Sequence, residues 1–228
     1  MTFQVSDVVD QARVLLNDTR SSAFRYSDAQ MLLFFSNAIN RTFTLRPDLF
    51  STVITLSTPS TLDVANYEQL LNGQQNFLKV ISVETGGSGK ITPEEVRWED
   101  FANSKKSWAS DFSGLPTKFV RDKYSSSRFY LNPPPGADTV LEVQVAEKPA
   151  LVHTLSTTLQ RPSPEYVPAL TDCVVFLAQS IDDEHITSQR AQLFYESFIS
   201  ALGVGEQILR RNSLSPISGS QEMRNDPQ

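Results

Sequence analysis

The chain has 228 residues, with 20 Lys and Arg against 26 Asp and Glu, a net charge of −6, one cysteine and two histidines. A chain of this size can bury roughly 70% of its unfolded surface, so a core needs no covalent staples, and the single Cys173 excludes an intramolecular disulfide framework or a Cys-rich zinc site. The acidity argues against wrapping nucleic acid on a broad basic face, no apolar run reaches the ~18 residues of a membrane span, and MTFQVSDVVD has neither the basic nor the apolar region of a secretory signal.

Residues 1–50 predict a helical hairpin. Val5, Val8, Ala12, Leu15 and Leu16 recur at three- and four-residue spacing and so share a helix face. Asn17-Asp18-Thr19 and Ser21-Ser22 break the pattern. Ser27-Asp28-Ala29-Gln30 has the form of a capping box, in which serine accepts the N–H three residues on and Gln30 reaches back. The helix after it carries Met31, Leu32, Phe35, Ala38, Ile39 and Thr42 on one face and ends at Arg46-Pro47, because the residue before proline avoids the α region.

Residues 51–150 predict a β-rich insertion. Thr52 to Leu56 and Phe77 to Val83 are strand candidates, the second closed by Gly86-Gly87-Ser88-Gly89. Thr92-Pro93-Glu94-Glu95 fits either a helix start or the end of a strand through Val96, followed by a short helix from about Glu99 to Lys105; the second reading is preferred. Gly114-Leu115-Pro116 is read as a turn. Phe119-Val120-Arg121 and Arg128-Phe129-Tyr130-Leu131 flank a polar turn and predict a hairpin, and Leu141, Val143 and Val145 alternate with Val140, Glu142 and Gln144 as in a half-buried strand.

Residues 151–211 return to helix. Leu170, Cys173, Val174, Leu177, Ala178 and Ile181 share one face; Ala191, Phe194, Tyr195, Phe198, Ile199 and Leu202 share another. Residues 212–228, rich in Ser, Pro, Gly and Asn, read as an extended tail. Neither helical stretch can bury its face alone. The expected fold is therefore α+β: an antiparallel bundle of about four helices drawn from both chain ends, carrying the β-rich insertion.

The chemistry-bearing residues are few. Gly86-Gly87-Ser88-Gly89-Lys90 lacks the glycine at position 84 (Glu84) and the Ser/Thr at position 91 (Ile91) of a phosphate loop, so it reads as a mobile hairpin tip with a cation available to a partner or to DNA. Asp182-Asp183-Glu184-His185 cannot converge on one ion if helical, since consecutive side chains diverge by about 100°, and it reads as an interhelix turn. His153 is read as structural, Cys173 as an inert core thiol, and Trp98 and Trp108 as core or interface. No catalytic constellation stands out, so a structural or interaction protein is expected rather than an enzyme, with no cofactor and no metal.

Residues 12–50, ARVLLNDTRSSAFRYSDAQMLLFFSNAINRTFTLRPDLF, resemble the opening of the tailed-bacteriophage head-to-tail adaptor (connector, or head-completion) family. Leu15-Leu16, Asp18, Arg25-Tyr26, Ser27-Asp28, Asn37 and Arg46-Pro47-Asp48 carry the likeness. Val96-Arg97, Trp108, Gly114-Leu115-Pro116, Arg128 to Leu131 and Pro133-Pro134-Pro135 continue it in order, and Leu177-Ala178, Arg190-Ala191, Tyr195, Phe198 and Ala201-Leu202-Gly203 close it. The resemblance implies a helix bundle with a β-rich insertion, and a virion protein of the neck, assembled in the host cytoplasm. It implies a homo-oligomeric ring, a dodecamer, beneath the portal protein, extending the DNA channel and docking the tail or nozzle protein. It further implies passage of double-stranded DNA without sequence-specific binding, no membrane association, and a C-terminal segment that docks on the portal. Leu214, Pro216 and Ile217, the apolar residues in the first half of the tail, are the expected portal anchors. Gly86, Gly87, Gly89 and Lys90 are expected to face a partner or the channel. The competing readings are a tail-terminator or tail-tube subunit, then a nucleic-acid-binding module or a hydrolase.

Overall fold

A computed structural model describes residues 1–64, 66–87, 89–105, 113–181 and 188–203. The architecture is mixed α+β, with five helices among the described residues. The first strand, β1 (Phe3–Gln4), leads directly into α1 (Val5–Leu15). At that junction the Gln4 backbone N–H donates to Asp7 Oδ2 at 2.8 Å, satisfying a donor that has no partner within the helix. Asn17, at φ 57°, ends the helix in the left-handed conformation that Asn tolerates better than most residues. The expected capping box at Ser27 is present and starts α2 (Asp28–Leu45), with the Ser27 and Gln30 side chains each bonded to the other's backbone N–H. Pro47 then opens a 3-10 turn, Pro47–Phe50.

Four helices share the first of two apolar cores. They are α1, α2, α4 (Val167–Ile181) and α5 (Ser188–Ala201). Helix α4 touches each of the other three, and Val167, Ala169, Leu170, Thr171, Cys173, Val174, Val175 and Ala178 are all buried along it. A helix packed on several sides must be apolar nearly all round, which a single-face reading of its sequence does not capture. The expected faces are corrected at two positions: Leu15 is 39% and Ile181 68% exposed, each at the last turn of its helix. Three further residues are gains. Val9 and Arg13 join the buried face of α1, and Phe34 that of α2.

The strands form two larger sheets. In the three-stranded sheet, β8 (Thr139–Glu147) lies between β2 (Ser51–Ser57) and β4 (Gln75–Thr85), antiparallel to both, with Leu56 opposite Leu141 and Thr85 opposite Thr139. The expected alternation of β8 holds, with Leu141, Val143 and Val145 fully buried. Strand β4 is less regular. Its buried apolar residues Phe77, Val80 and Val83 are spaced by three, which strict alternation would send to opposite faces. Register shifts between Phe77 and Lys79 and between Val80 and Ser82 restore the phase, because each bulge adds one residue to its strand.

The second sheet runs β3 (Glu68–Leu70), β7 (Arg128–Asn132), β6 (Lys118–Arg121) and β5 (Glu94–Glu95). Its centre is the expected hairpin, with Phe119 opposite Leu131, while β5 joins β6 in parallel. The preferred reading of residues 92–105 is the one observed: a strand and then the short helix α3 (Trp98–Lys105). The second core lies between the sheets, where Phe77 stacks on Phe129 (centroids 4.4 Å apart, planes 6° apart) and meets Phe119 edge-on. Three features escape the sequence reading. These are the two-residue strand β9 (Thr158–Leu159) paired with β1, the strand β3 between the first two strand candidates, and a bridge from Gly114 to Pro135 where a plain turn was expected.

Candidate functional site

The residues that carry the N-terminal motif converge on one buried side chain, Arg13. Its Nη1 donates to Asp18 Oδ2 at 2.7 Å and to the Tyr26 carbonyl at 3.0 Å, and its Nη2 donates to Asp28 Oδ1 at 2.7 Å. The guanidinium also lies over the Phe24 ring, 3.8 Å from its centroid, a geometry that favours a cation over an aromatic face. Asp18 in turn accepts the backbone N–H groups of Arg25 and Tyr26, and Tyr26 Oη donates to the Ala178 carbonyl of α4. Burial pushes the Tyr26 phenol above its ordinary range. The segment 18–28 is thereby tied to α1 at one end and to α4 at the other. Arg13 was missed in the sequence. Its one signal was a position four residues after Val9, on the apolar side of α1.

Arg46-Pro47-Asp48 forms a second tie. Arg46 Nε and Nη2 grip Asp48, with Nη2 to Oδ2 at 2.7 Å, and Arg46 Nη1 donates to the Leu202 carbonyl at the end of α5. The bond to Asp48 raises the Arg46 pKa above its already high ordinary value. Both motifs therefore hold helices together.

The glycine-rich tip leaves the three-stranded sheet at the end of β4. Gly86 and Gly87 have φ of 54° and 79°, a region that L side chains rarely adopt. Val83 and Ile91 close the loop below them by exchanging backbone hydrogen bonds of 2.9 and 3.0 Å. Lys90 folds back from the tip onto the sheet, with Nζ 2.7 Å from Glu142 Oε1, while Ser82 donates to Glu142 Oε2 at 2.7 Å. The Lys90 and Ser82 hydrogen bonds hold the Glu142 carboxyl below the usual carboxylate range, and Glu142 holds the Lys90 ammonium above its usual value. An added Cβ at Gly86, Gly87 or Gly89 would meet no atom within 4 Å among the described residues.

Cys173 is fully buried and burial pushes its thiol up to about 12, which leaves negligible thiolate at neutral pH. His153 is exposed. Trp98 stacks on Phe101 and meets Tyr130 edge-on, joining α3 to β7. Among the described residues no group of three or more His, Cys, Asp or Glu is placed to hold a metal ion, and no helix is long and apolar enough to cross a membrane. Leu214, Pro216 and Ile217 lie outside the described residues, as do Trp108 and Asp182-Asp183-Glu184-His185.

The protein is thus an α+β molecule with a helical core and an inter-sheet core, in which an arginine-centred lock ties the segment between the first two helices to the helical core. A family model described as SU10 adaptor protein matches residues 1–220, and the chain belongs to that family, a bacteriophage adaptor family of structural proteins, which makes it a virion component. A comparison with curated proteins finds no match.

Proposed function

We propose that this protein is a head-to-tail adaptor that forms a ring, a dodecamer, beneath the portal protein, extends the DNA channel and docks the tail or nozzle protein. The observation that carries the reading is the match to a phage adaptor family along 220 of the 228 residues. In this reading the helices at both chain ends act as an antiparallel bundle, residues 51–150 are an insertion carried on it, and the protein is no enzyme. A net charge of −6 supports the channel role: DNA must leave through the ring, and a basic lumen would hold the phosphate backbone in salt-dependent traps. Ring closure needs one surface of a subunit to meet a different surface of its neighbour.

Leu214, Pro216 and Ile217 anchor the portal, with residues 212–228 as the segment that docks on its surface. The tip at Gly86, Gly87, Gly89 and Lys90 faces the tail-side partner or the channel. Electron microscopy of the purified protein mixed with portal is the test. A ring at the distal end of the portal is expected, and a hexameric tube would favour a tail subunit instead. Deleting residues 212–228 should abolish attachment while the circular-dichroism spectrum of the folded body persists; normal attachment by the truncated protein refutes the anchoring role.

A further inference from the structure

Strand β2 is an edge of the three-stranded sheet: β8 pairs with one side of it and, among the described residues, no strand pairs with the other. One bond fixes the direction of its backbone groups. Thr58 N–H donates to the Thr139 carbonyl at 3.0 Å, one step beyond the pairing of Ser57 with Val140. Backbone groups along an antiparallel strand point alternately toward and away from the neighbouring strand. Thr52, Ile54 and Leu56 therefore bond to β8, while Ser51, Val53, Thr55 and Ser57 turn their groups outward. The ends of this outer side are closed locally. The Ser51 N–H bonds to the Asp48 carbonyl. Ser57 bonds through its N–H to the Thr61 hydroxyl at 2.8 Å and through its carbonyl to the Thr61 N–H at 2.9 Å. Between them, the N–H and carbonyl of Val53 and of Thr55 have no partner among the described residues. Sheet edges are commonly blunted by a charge, a proline or a bulge. Ser51–Ser57 (STVITLS) has no charged residue and no proline, and its register to β8 is unbroken. Val53 is exposed, and Ile54, on the opposite face, is only partly buried against the inter-sheet core.

We propose that this edge pairs with the same edge of a second copy, antiparallel and two-fold symmetric about Ile54. The free groups require an extended strand, and the register shows why a copy of β2 fits. Centring on Ile54 sets Val53 opposite Thr55 of the second copy, and Thr55 opposite its Val53. Each such pair exchanges two backbone hydrogen bonds, so every free N–H and carbonyl of these residues is met on both copies. Ile54 then meets Ile54 of the second copy in a non-bonded pair, with Cα atoms about 4.5 Å apart, and each covers the side of the other that β8 leaves open. A strand paired with its own copy brings equal charges together, and this one carries none. A two-fold contact closes on itself, whereas a ring needs two different surfaces. The pairing therefore belongs to the protein free of its ring and stands or falls apart from the adaptor reading.

Sedimentation equilibrium of the purified full chain, over a dilution series, tests it. The mass should rise from 25.5 kDa toward twice that with concentration, and the Val53 and Thr55 amides should gain protection from hydrogen exchange in step. Val53→Lys with Thr55→Lys sets like charges opposite each other and should abolish the doubling. Val53→Glu with Thr55→Lys sets opposite charges there and should restore it. The Ile54 amide, held by β8 in either state, should stay protected in both variants as the check on folding. A monomer at every concentration overturns the proposal, as does doubling that survives Val53→Lys with Thr55→Lys. Equal loss in both double variants overturns it and assigns the edge to a different strand. A mass that climbs past two copies without pausing there also overturns it, because a two-fold contact closes at two. As a measurement independent of charge, Ile54→Cys should form an intermolecular disulfide under mild oxidation, since the paired Cα atoms lie within bridging distance; its failure to form counts against the proposal.

Discussion

Arg13 occupies the apolar side of α1, where a cation is costly unless its charge and its N–H groups are met. Its side chain is 6% exposed and that of Asp18 3%, so the pair is out of water. Removing one partner from such a pair leaves the other as an uncompensated buried charge. Arg13→Met should therefore cost about 3–5 kcal/mol of stability, read from the urea midpoint at unchanged slope. Asp18→Asn in the same chain keeps an acceptor for the Arg25 and Tyr26 N–H groups and removes the stranded charge. The double variant should recover part of the loss, and a loss below about 1 kcal/mol in Arg13→Met would show that the lock is not buried in solution. In the sequence Asp18 reads as a helix breaker and as one residue of the adaptor-family likeness, with no partner assigned. Its role depends on a guanidinium five residues earlier turning inward, which helical spacing permits but does not demand.

The hairpin from β4 to Ile91 shows the same limit for an element. Gly86-Gly87 is legible as a reversal because left-handed φ values favour glycine, whereas the Lys90 partner, 52 residues further on, is not. Glu142 has a depressed folded-state pKa. Its contribution to stability is therefore present above the unfolded carboxylate pKa and is lost as pH falls through the folded one. Lys90, raised, contributes below the unfolded lysine value and loses that contribution as pH rises through its folded one. The pair thus operates across the neutral range and is lost toward either extreme of pH. Lys90→Met should raise the Glu142 pKa toward the ordinary carboxylate value, yet leave it short of that value because Ser82 still donates; carboxyl NMR titration reads this directly. An unchanged titration would mean that Lys90 is free in solution.

Across the whole molecule, two cores divide the apolar residues. Phe35 lies at the centre of the helical core and Phe129 at the centre of the inter-sheet core, both fully buried. Truncating either to alanine should cost about 3–5 kcal/mol. The cost should fall locally: hydrogen exchange in Phe129→Ala should speed up in β7 and β8 while α4 keeps its protection, and Phe35→Ala should do the reverse. Loss of protection in both regions with either variant would show that the two cores open as one cooperative unit.

The sequence by itself determined the local elements and their buried faces where one rule dominates. The Ser27–Gln30 cap, the stop at Pro47, the hairpin around residues 123–127 and the alternation of Leu141, Val143 and Val145 all follow from capping, proline sterics or a period of two. Tertiary structure alone decided what depends on residues distant in the chain. It buried α4 on nearly every side, pulled Arg13 inward, paired Phe3 with Leu159, and set two bulges in β4 so that Phe77, Val80 and Val83 face one core. The reason is physical: periodicity records which side of an element is apolar, while the number of neighbours that close over it, and the polar partner that reaches a buried charge, are fixed only when the chain packs.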